Sequence, residues 1–265
     1  MKNLLLLEWR KLRWPVLFTL VLVTAAVVAL TGTLYKNYSL EHDLEAWEVG
    51  IEFIVFLFPF IAVMPVCWLM YYERKDNFLL YTLPRVSKSR YLWSKWIAAA
   101  SSSFLVMFIA MFLGVVYSLF IKPGIIPSYG LISPETGEVV PRLESQHFLG
   151  PLFVHQPLVY GLLLSFWQGI LSALVATMGF VLSLFIQNIF VILTGPFIYV
   201  MLENYLLQII GYMNHRLYIS FNPEFYSVDK YGYFPLFVGP LLALLFMAFI
   251  ALFYTKIKKV TVYPS

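Results

Sequence analysis

Residues 72–96 read YERKDNFLLYTLPRVSKSRYLWSKW, a polar segment between two long apolar runs. It carries Glu73, Arg74, Lys75, Asp76, Arg85, Lys88, Arg90 and Lys95, so six of the 18 Lys and Arg residues fall within it. A segment so charged cannot lie in hydrocarbon, where backbone and side-chain polar groups find no water. Its basic excess assigns it to the cytoplasmic side of a membrane. The spacing predicts a short amphipathic helix ended by Pro84, whose ring removes a backbone donor.

The rest of the chain supplies the membrane. Hydrophobic residues make up 61% of the 265 and charged residues 12%, about half the charge of an average soluble domain, so lipid is the solvent for most of the sequence. Aromatics at 18% suit helices whose ends need interfacial anchors. A bilayer core takes ~20 apolar residues per helix, which predicts spans at 14–34, 51–71, 97–121, 158–186, 189–207 and 235–254. The run from Leu158 to Leu207 has no charge before Glu203, and as one helix it would be about 75 Å long. It must turn back, and Gln187 with Asn188 offers the place. The expected fold is an all-α integral membrane protein, one six-span domain with residues 72–96 as a cytoplasmic loop and 122–157 and 208–234 as external loops.

Charge supports this layout. The termini and residues 72–96 hold 13 of the 18 basic residues against Glu8, Glu73 and Asp76, while the other side holds 11 of the 14 carboxylates. Both termini are therefore expected in the cytoplasm. The apolar run after Arg13 is long enough to span and reads as a retained first helix. Before it, Leu5, Trp9 and Leu12 lie at helical spacing with Arg10, Lys11 and Arg13 around them. That pattern fits an interface-lying helix or simple juxtamembrane charge.

Few residues offer chemistry. The lone Cys67 excludes an internal disulfide, and the four histidines come from separate loops without ligand spacing, so no metal and no catalytic set is expected. No phosphate-cradling GxxxxGK[ST] loop is present. Net charge of +4 is explained by loop positions, so no nucleic acid is expected as a partner. Gln168, Glu203 and Asn204 are the polar groups in spans that a translocation path could use; an interhelical hydrogen bond for Gln168 and an interfacial carboxylate for Glu203 are the plainer readings.

Around the opening stretch the sequence resembles the type-2 permease subunits of ATP-binding-cassette (ABC) transporters. The residues that carry the likeness are Glu73-Arg74, Leu79-Leu80, Leu83-Pro84, Ser87, Arg90 and Lys95, together with Leu-Glu-Trp-Arg-Lys-Leu at residues 7–12. Where the family often has Gly after the Glu-basic pair, Asp76-Asn77 stand here. The resemblance implies a coupling helix between spans two and three, with Leu79, Leu80 and Leu83 as its apolar ridge and Glu73, Arg74, Arg85 and Arg90 orienting it. It implies an N-terminal interfacial helix through Leu5, Trp9, Arg10 and Leu12. It also implies two copies of an ABC ATPase that carries ATP and Mg, a second permease chain, lipid contact, and export across a bacterial or archaeal cytoplasmic membrane. An accessory or sensor membrane protein, and a membrane enzyme, are the rival expectations.

Overall fold

The computed structural model describes residues 2–76, 87–127, 143–144, 147–224, 226 and 228–257. Among them there is no strand. Helix α1 spans Lys2–Leu34, α2 Glu45–Val63, α3 Trp68–Lys75 and α4 Lys88–Val116. The short α5 (Gly150–His155) leads into α6 (Pro157–Phe185), followed by α7 (Ile189–Ile210), the short α8 (Leu217–Phe221) and α9 (Val228–Tyr231), and α10 (Phe234–Leu252). Six helical stretches are long and apolar enough to cross a membrane, with α2 and α3 together making one of them. The expected six-span, all-α architecture is present, and the chain is a multi-pass membrane protein.

Capping marks both ends of α7. Between α6 and α7 the chain turns over residues 186–188, and the Asn188 side chain accepts the Phe190 backbone N–H at 2.9 Å as an N-cap. The α7 helix ends at Gly211 with φ of 90°, a left-handed value that an L side chain resists. In the second span α2 stops at Val63 and α3 starts at Trp68, with a turn through Pro65 between them. Proline cannot donate to the preceding turn, and the break falls where it stands.

Two stretches differ from expectation. The N-terminal segment is not a separate helix on the membrane surface; residues 2–34 form one rod. Leu12 and Val16 are buried on its inner side while Trp9 and Arg10 face outward. Lys88, Arg90 and Lys95 belong to the first turns of α4, not to a loop.

Small residues bring the spans together. A Cβ on Gly50 would lie 2.7 Å from both the Cα and the backbone N of Thr31, so α1 and α2 approach backbone to backbone there. On the α4 and α6 faces Ser103 and Ser172 place their hydroxyls 2.8 Å apart, and Ser103 also donates to the Ser172 carbonyl at 3.1 Å. The core that results runs through α1, α2, α4 and α6, with Trp47, Phe58, Met107 and Val175 fully enclosed.

Contacts at the helix ends sort the bundle into two poles. Lys11, Glu73, Lys95 and the last residues of α6 meet at a basic pole, and Phe185 stacks on Tyr254 there, so the end of α10 joins them. Asp43, Glu48, His147 and Lys122 gather at the opposite, acidic pole.

Candidate functional site

At the basic pole two carboxylates and two ammonium groups are locked together, all but that of Lys11 buried. Glu8, one helical turn before Leu12 on the buried stripe of α1, is 2% exposed. Its Oε2 accepts from Lys95 Nζ at 2.7 Å, and its Oε1 lies 3.4 Å from Lys11 Nζ. Glu73, near the end of α3, pairs with Lys95 at 2.5 Å and with Lys11 at 2.7 Å. The Tyr91 hydroxyl donates to the same Glu73 carboxylate, and Lys95 Nζ sits 5.0 Å from the Tyr91 ring. The charges sum to zero. That matters because a desolvated ion is tolerated only when its partners and hydrogen bonds are nearly complete.

The cluster draws on three helices far apart in sequence. Glu8 and Lys95 are 87 positions apart, and Lys11 and Glu73 are 62. It ties α1 to α3 and α4, the two helices that flank residues 77–86. Beside it Arg74 reaches across to α6 and donates to the Ser183 and Leu184 carbonyls at 2.9 and 2.8 Å. Those are among the last carbonyls of α6, which have no intrahelical donor, and a guanidinium at a helix C-terminus also answers the dipole. The turn at 186–188 has no basic residue of its own, and Arg74 supplies one beside it from another span.

Of the residues singled out in the sequence, Glu73, Arg74 and Lys95 come together here. Arg90 is exposed on the first turn of α4. Leu79, Leu80, Leu83, Pro84 and Arg85 lie outside the described residues. At the N-terminus Leu12 packs inward, Leu5 is half-buried, and Trp9 and Arg10 are exposed. Glu8, Lys11 and Tyr91 are the members that sequence reading missed. Their signal was a carboxylate in register with Leu12 and Val16, and a Tyr91–Lys95 pair at i,i+4.

Of the polar groups named for a path, Glu203 and Gln168 bond to the two ends of α8. Glu203 accepts the Leu217 N–H with both oxygens, at 3.0 and 3.2 Å, and so caps the start of α8. Gln168 donates to the Phe221 carbonyl at 3.1 Å, at the other end of α8. Asn204 is half-buried on α7 and joins neither bond.

The acidic pole has its own polar centre. Glu48, fully buried on α2, accepts the Tyr160 hydroxyl at 3.1 Å and lies 2.9 Å from His147 Nε2. Burial opposes a charge on His147, but the Glu48 carboxylate outweighs it and holds the imidazole above its ordinary value. Glu224 is pushed up to about 8, first by burial and then by the negative charge of Glu48. Nearby, Lys122 pairs with Asp43 at 2.8 Å and sits 4.7 Å from the Tyr35 ring. Burial would raise the Asp43 carboxyl, yet the Lys122 bond keeps it below its ordinary value.

Comparison with known proteins bears on the basic pole. Residues 4–130 match the family model described as ABC-2 family transporter protein. No curated protein and no solved structure matches the chain. The matched region, just under half of the chain, contains the first three spans and every member of the charge cluster. The match lies over the helices that flank residues 77–86, in a chain with six helices long and apolar enough to cross a membrane, and makes the first three spans similar to the ABC-2 family of transporter proteins.

Proposed function

We propose that this chain is the membrane half of an exporter that moves a hydrophobic or amphipathic solute, such as a peptide, antibiotic or lipid-like molecule. The work comes from ATP and Mg on two copies of a separate ABC ATPase, and a second permease chain, identical or homologous, completes the path. The basic pole lies in the cytoplasm of a bacterial or archaeal cell, with both termini, and the acidic pole faces outside, as the distribution of Lys and Arg favours. Residues 77–86, with Leu79, Leu80, Leu83, Pro84 and Arg85, form the surface on which the ATPase bears.

One observation carries this reading: the Glu8, Lys11, Glu73 and Lys95 cluster joins α1 to α3 and α4, the helices that residues 77–86 connect in sequence. A load applied at residues 77–86 then moves three helices as one body, the rigid-body class of switch. Side chains that only met lipid headgroups would gain nothing from burying Glu8, Glu73 and Lys95.

The test uses the full complex with its ATPase in proteoliposomes. Arg90→Glu, at an exposed position, and Arg85→Glu are compared with the parent for solute-stimulated ATPase activity and for transport. The expected result is ATP hydrolysis that no longer responds to solute, with transport lost and thermal stability kept. Full stimulation and transport in the doubly substituted protein would overturn the assignment.

A further inference from the structure

A cavity of about 180 Å³ opens at the acidic pole between α6, α8 and α10. Tyr160, Leu164 and Trp167 of α6 line one side, Leu236 and Phe237 of α10 the other, and Leu149 closes the top. Four of its lining side chains carry polar groups: Tyr160, Trp167, Ser220 and Tyr233. Three of these are already committed to protein. The Tyr160 hydroxyl donates to Glu48, the Trp167 indole N–H donates to the Ser220 carbonyl at 2.8 Å, and the Ser220 hydroxyl donates to the Leu236 carbonyl at 2.5 Å. The fourth, Tyr233, is 55% exposed and belongs to the rim. The inner wall thus offers an occupant ring faces and methyl groups.

Size narrows the occupant. An apolar cavity of roughly 150 Å³ stays dry and takes one benzene-sized molecule, whereas pockets for whole small molecules run from about 300 Å³ upward. This cavity fits a length of chain, not an entire solute. Its rim includes Leu163 and Phe237, each about half exposed on helices long and apolar enough to cross a membrane, and Tyr233 just before α10, so the opening lies on the side that hydrocarbon covers. Left empty, the lining forfeits dispersion contacts on one side, and an alkyl segment restores them.

A second observation lies in the backbone. Leu149 is the only non-glycine residue with positive φ among the described residues, at φ 50° and ψ 42°. For a bulky side chain that conformation is strained, and such strain persists where the surroundings enforce it. Here it delivers the Leu149 side chain to the cavity and starts α5 at Gly150, where a Cβ would collide with the Leu143 and Glu144 carbonyls.

We propose that this cavity is a seat for a single hydrocarbon tail, entering from the bilayer side at the acidic pole with its polar head left at the aromatic rim. The seat does not rest on the direction of transport or on the ATPase partner. Two sources share the chemistry: an acyl chain of a bilayer phospholipid, and the tail of an acylated solute.

The experiment uses the full chain in phosphatidylcholine vesicles containing a phosphatidylcholine whose palmitoyl chain bears a diazirine. After illumination, labelled peptides are mapped by mass spectrometry. Peptides holding Leu164 and Leu236, both buried, should label above peptides holding the exposed Leu245. Leu163→Trp, at an exposed rim position where folding tolerates bulk, should lower that labelling to the level of the Leu245 peptides, while Leu245→Trp leaves it intact. In a second arm a diazirine-bearing N-palmitoyl dipeptide is added. Competition with the phospholipid for the same peptides assigns the seat to an acylated solute, and labelling by phospholipid alone assigns it to the bilayer. Labelling of the Leu164 and Leu236 peptides no higher than that of the Leu245 peptides, or unchanged in Leu163→Trp, overturns the proposal.

Discussion

Lys95→Met tests the charge cluster most directly. Lys95 is 5% exposed and touches both carboxylates, at 2.7 Å for Glu8 and 2.5 Å for Glu73. Removing it leaves two buried anions sharing Lys11 alone. Breaking a buried pair by deleting one partner costs about 3–5 kcal/mol. Lys11 remains 2.7 Å from Glu73 and 3.4 Å from Glu8, so the lower end, about 3 kcal/mol, applies. For a chain of this size that is a fall in Tm of about 6–12 °C, read by near-UV circular dichroism in detergent micelles. Lys11→Met should cost less, about 1 kcal/mol, because its side chain is 29% exposed and water replaces part of what it gives. Adding Glu8→Gln to Lys95→Met removes one charge of each sign and leaves the Glu73–Lys11 pair whole. The double variant should then be more stable than the sum of the two single losses by more than about 1 kcal/mol. Equal Tm losses for Lys95→Met and Lys11→Met, or a cycle additive to within about 0.5 kcal/mol, would refute the cluster as a coupled unit.

Three further outcomes are expected. Arg74→Lys should not rescue Arg74→Ala, because one ammonium cannot reproduce a guanidinium donating to the Ser183 and Leu184 carbonyls; hydrogen exchange at the end of α6 should speed up in both. Gly50→Ala should destabilise the fold by about 1–3 kcal/mol or more, since the new methyl meets Thr31 backbone atoms that cannot swing away, and a Tm equal to the parent's would sink that reading. At the acidic pole, His147 and Glu224 each bind a proton more tightly in the folded chain than in the unfolded one, so the native state holds more protons and stability falls as pH rises. The Glu224 contribution is lost between its ordinary 4.5 and about 8, and that of His147 as pH climbs from 6.5 through its raised value. Proteolysis of residues 143–156 should therefore be faster at about pH 9 than at about pH 6, and the reverse order would contradict the sign.

The six spans were legible because bilayer thickness sets a length that apolar runs must meet, and because residues 158–207 were too long to cross once. What stayed hidden depended on helical register. Glu8 looked like one more charge beside Arg10 and Lys11, and only a single rod from Lys2 to Leu34 places it on the stripe with Leu12 and Val16. Glu48 looked like part of an acidic loop, yet α2 begins at Glu45 and sets Glu48 in line with Ile51, Val55 and Phe58, all buried. The sequence could not show that Glu203 and Gln168 grip the two ends of α8, because nothing local marks Leu217–Phe221 as a helix needing caps. Arg74 was noticed for its charge, but its task depends on a turn 110 residues away.

The break in the second span decides how a load at the basic pole could travel. With α2 ending at Val63 and α3 beginning at Trp68, the Glu73 end is hinged from the outer part of its own span. The α1 helix, 33 residues long, and α4, 29 residues, are unbroken, about 50 and 44 Å of rod. Both are fixed to Glu73 through Lys11 and Lys95, so a displacement of the Glu73 end of α3 is shared with α1 and α4. At the far end of α4 stands Lys122, paired with Asp43 in the stretch joining α1 to α2. A tilt of about 5° about the basic pole carries the end of a ~44 Å rod by about 4 Å, more than that 2.8 Å contact can absorb unless α1 and its loop move too. The ion pairs at the two ends of α4 thus turn one helix into a link between the poles, and the break at Pro65 between α2 and α3 separates that link from the outer part of the second span.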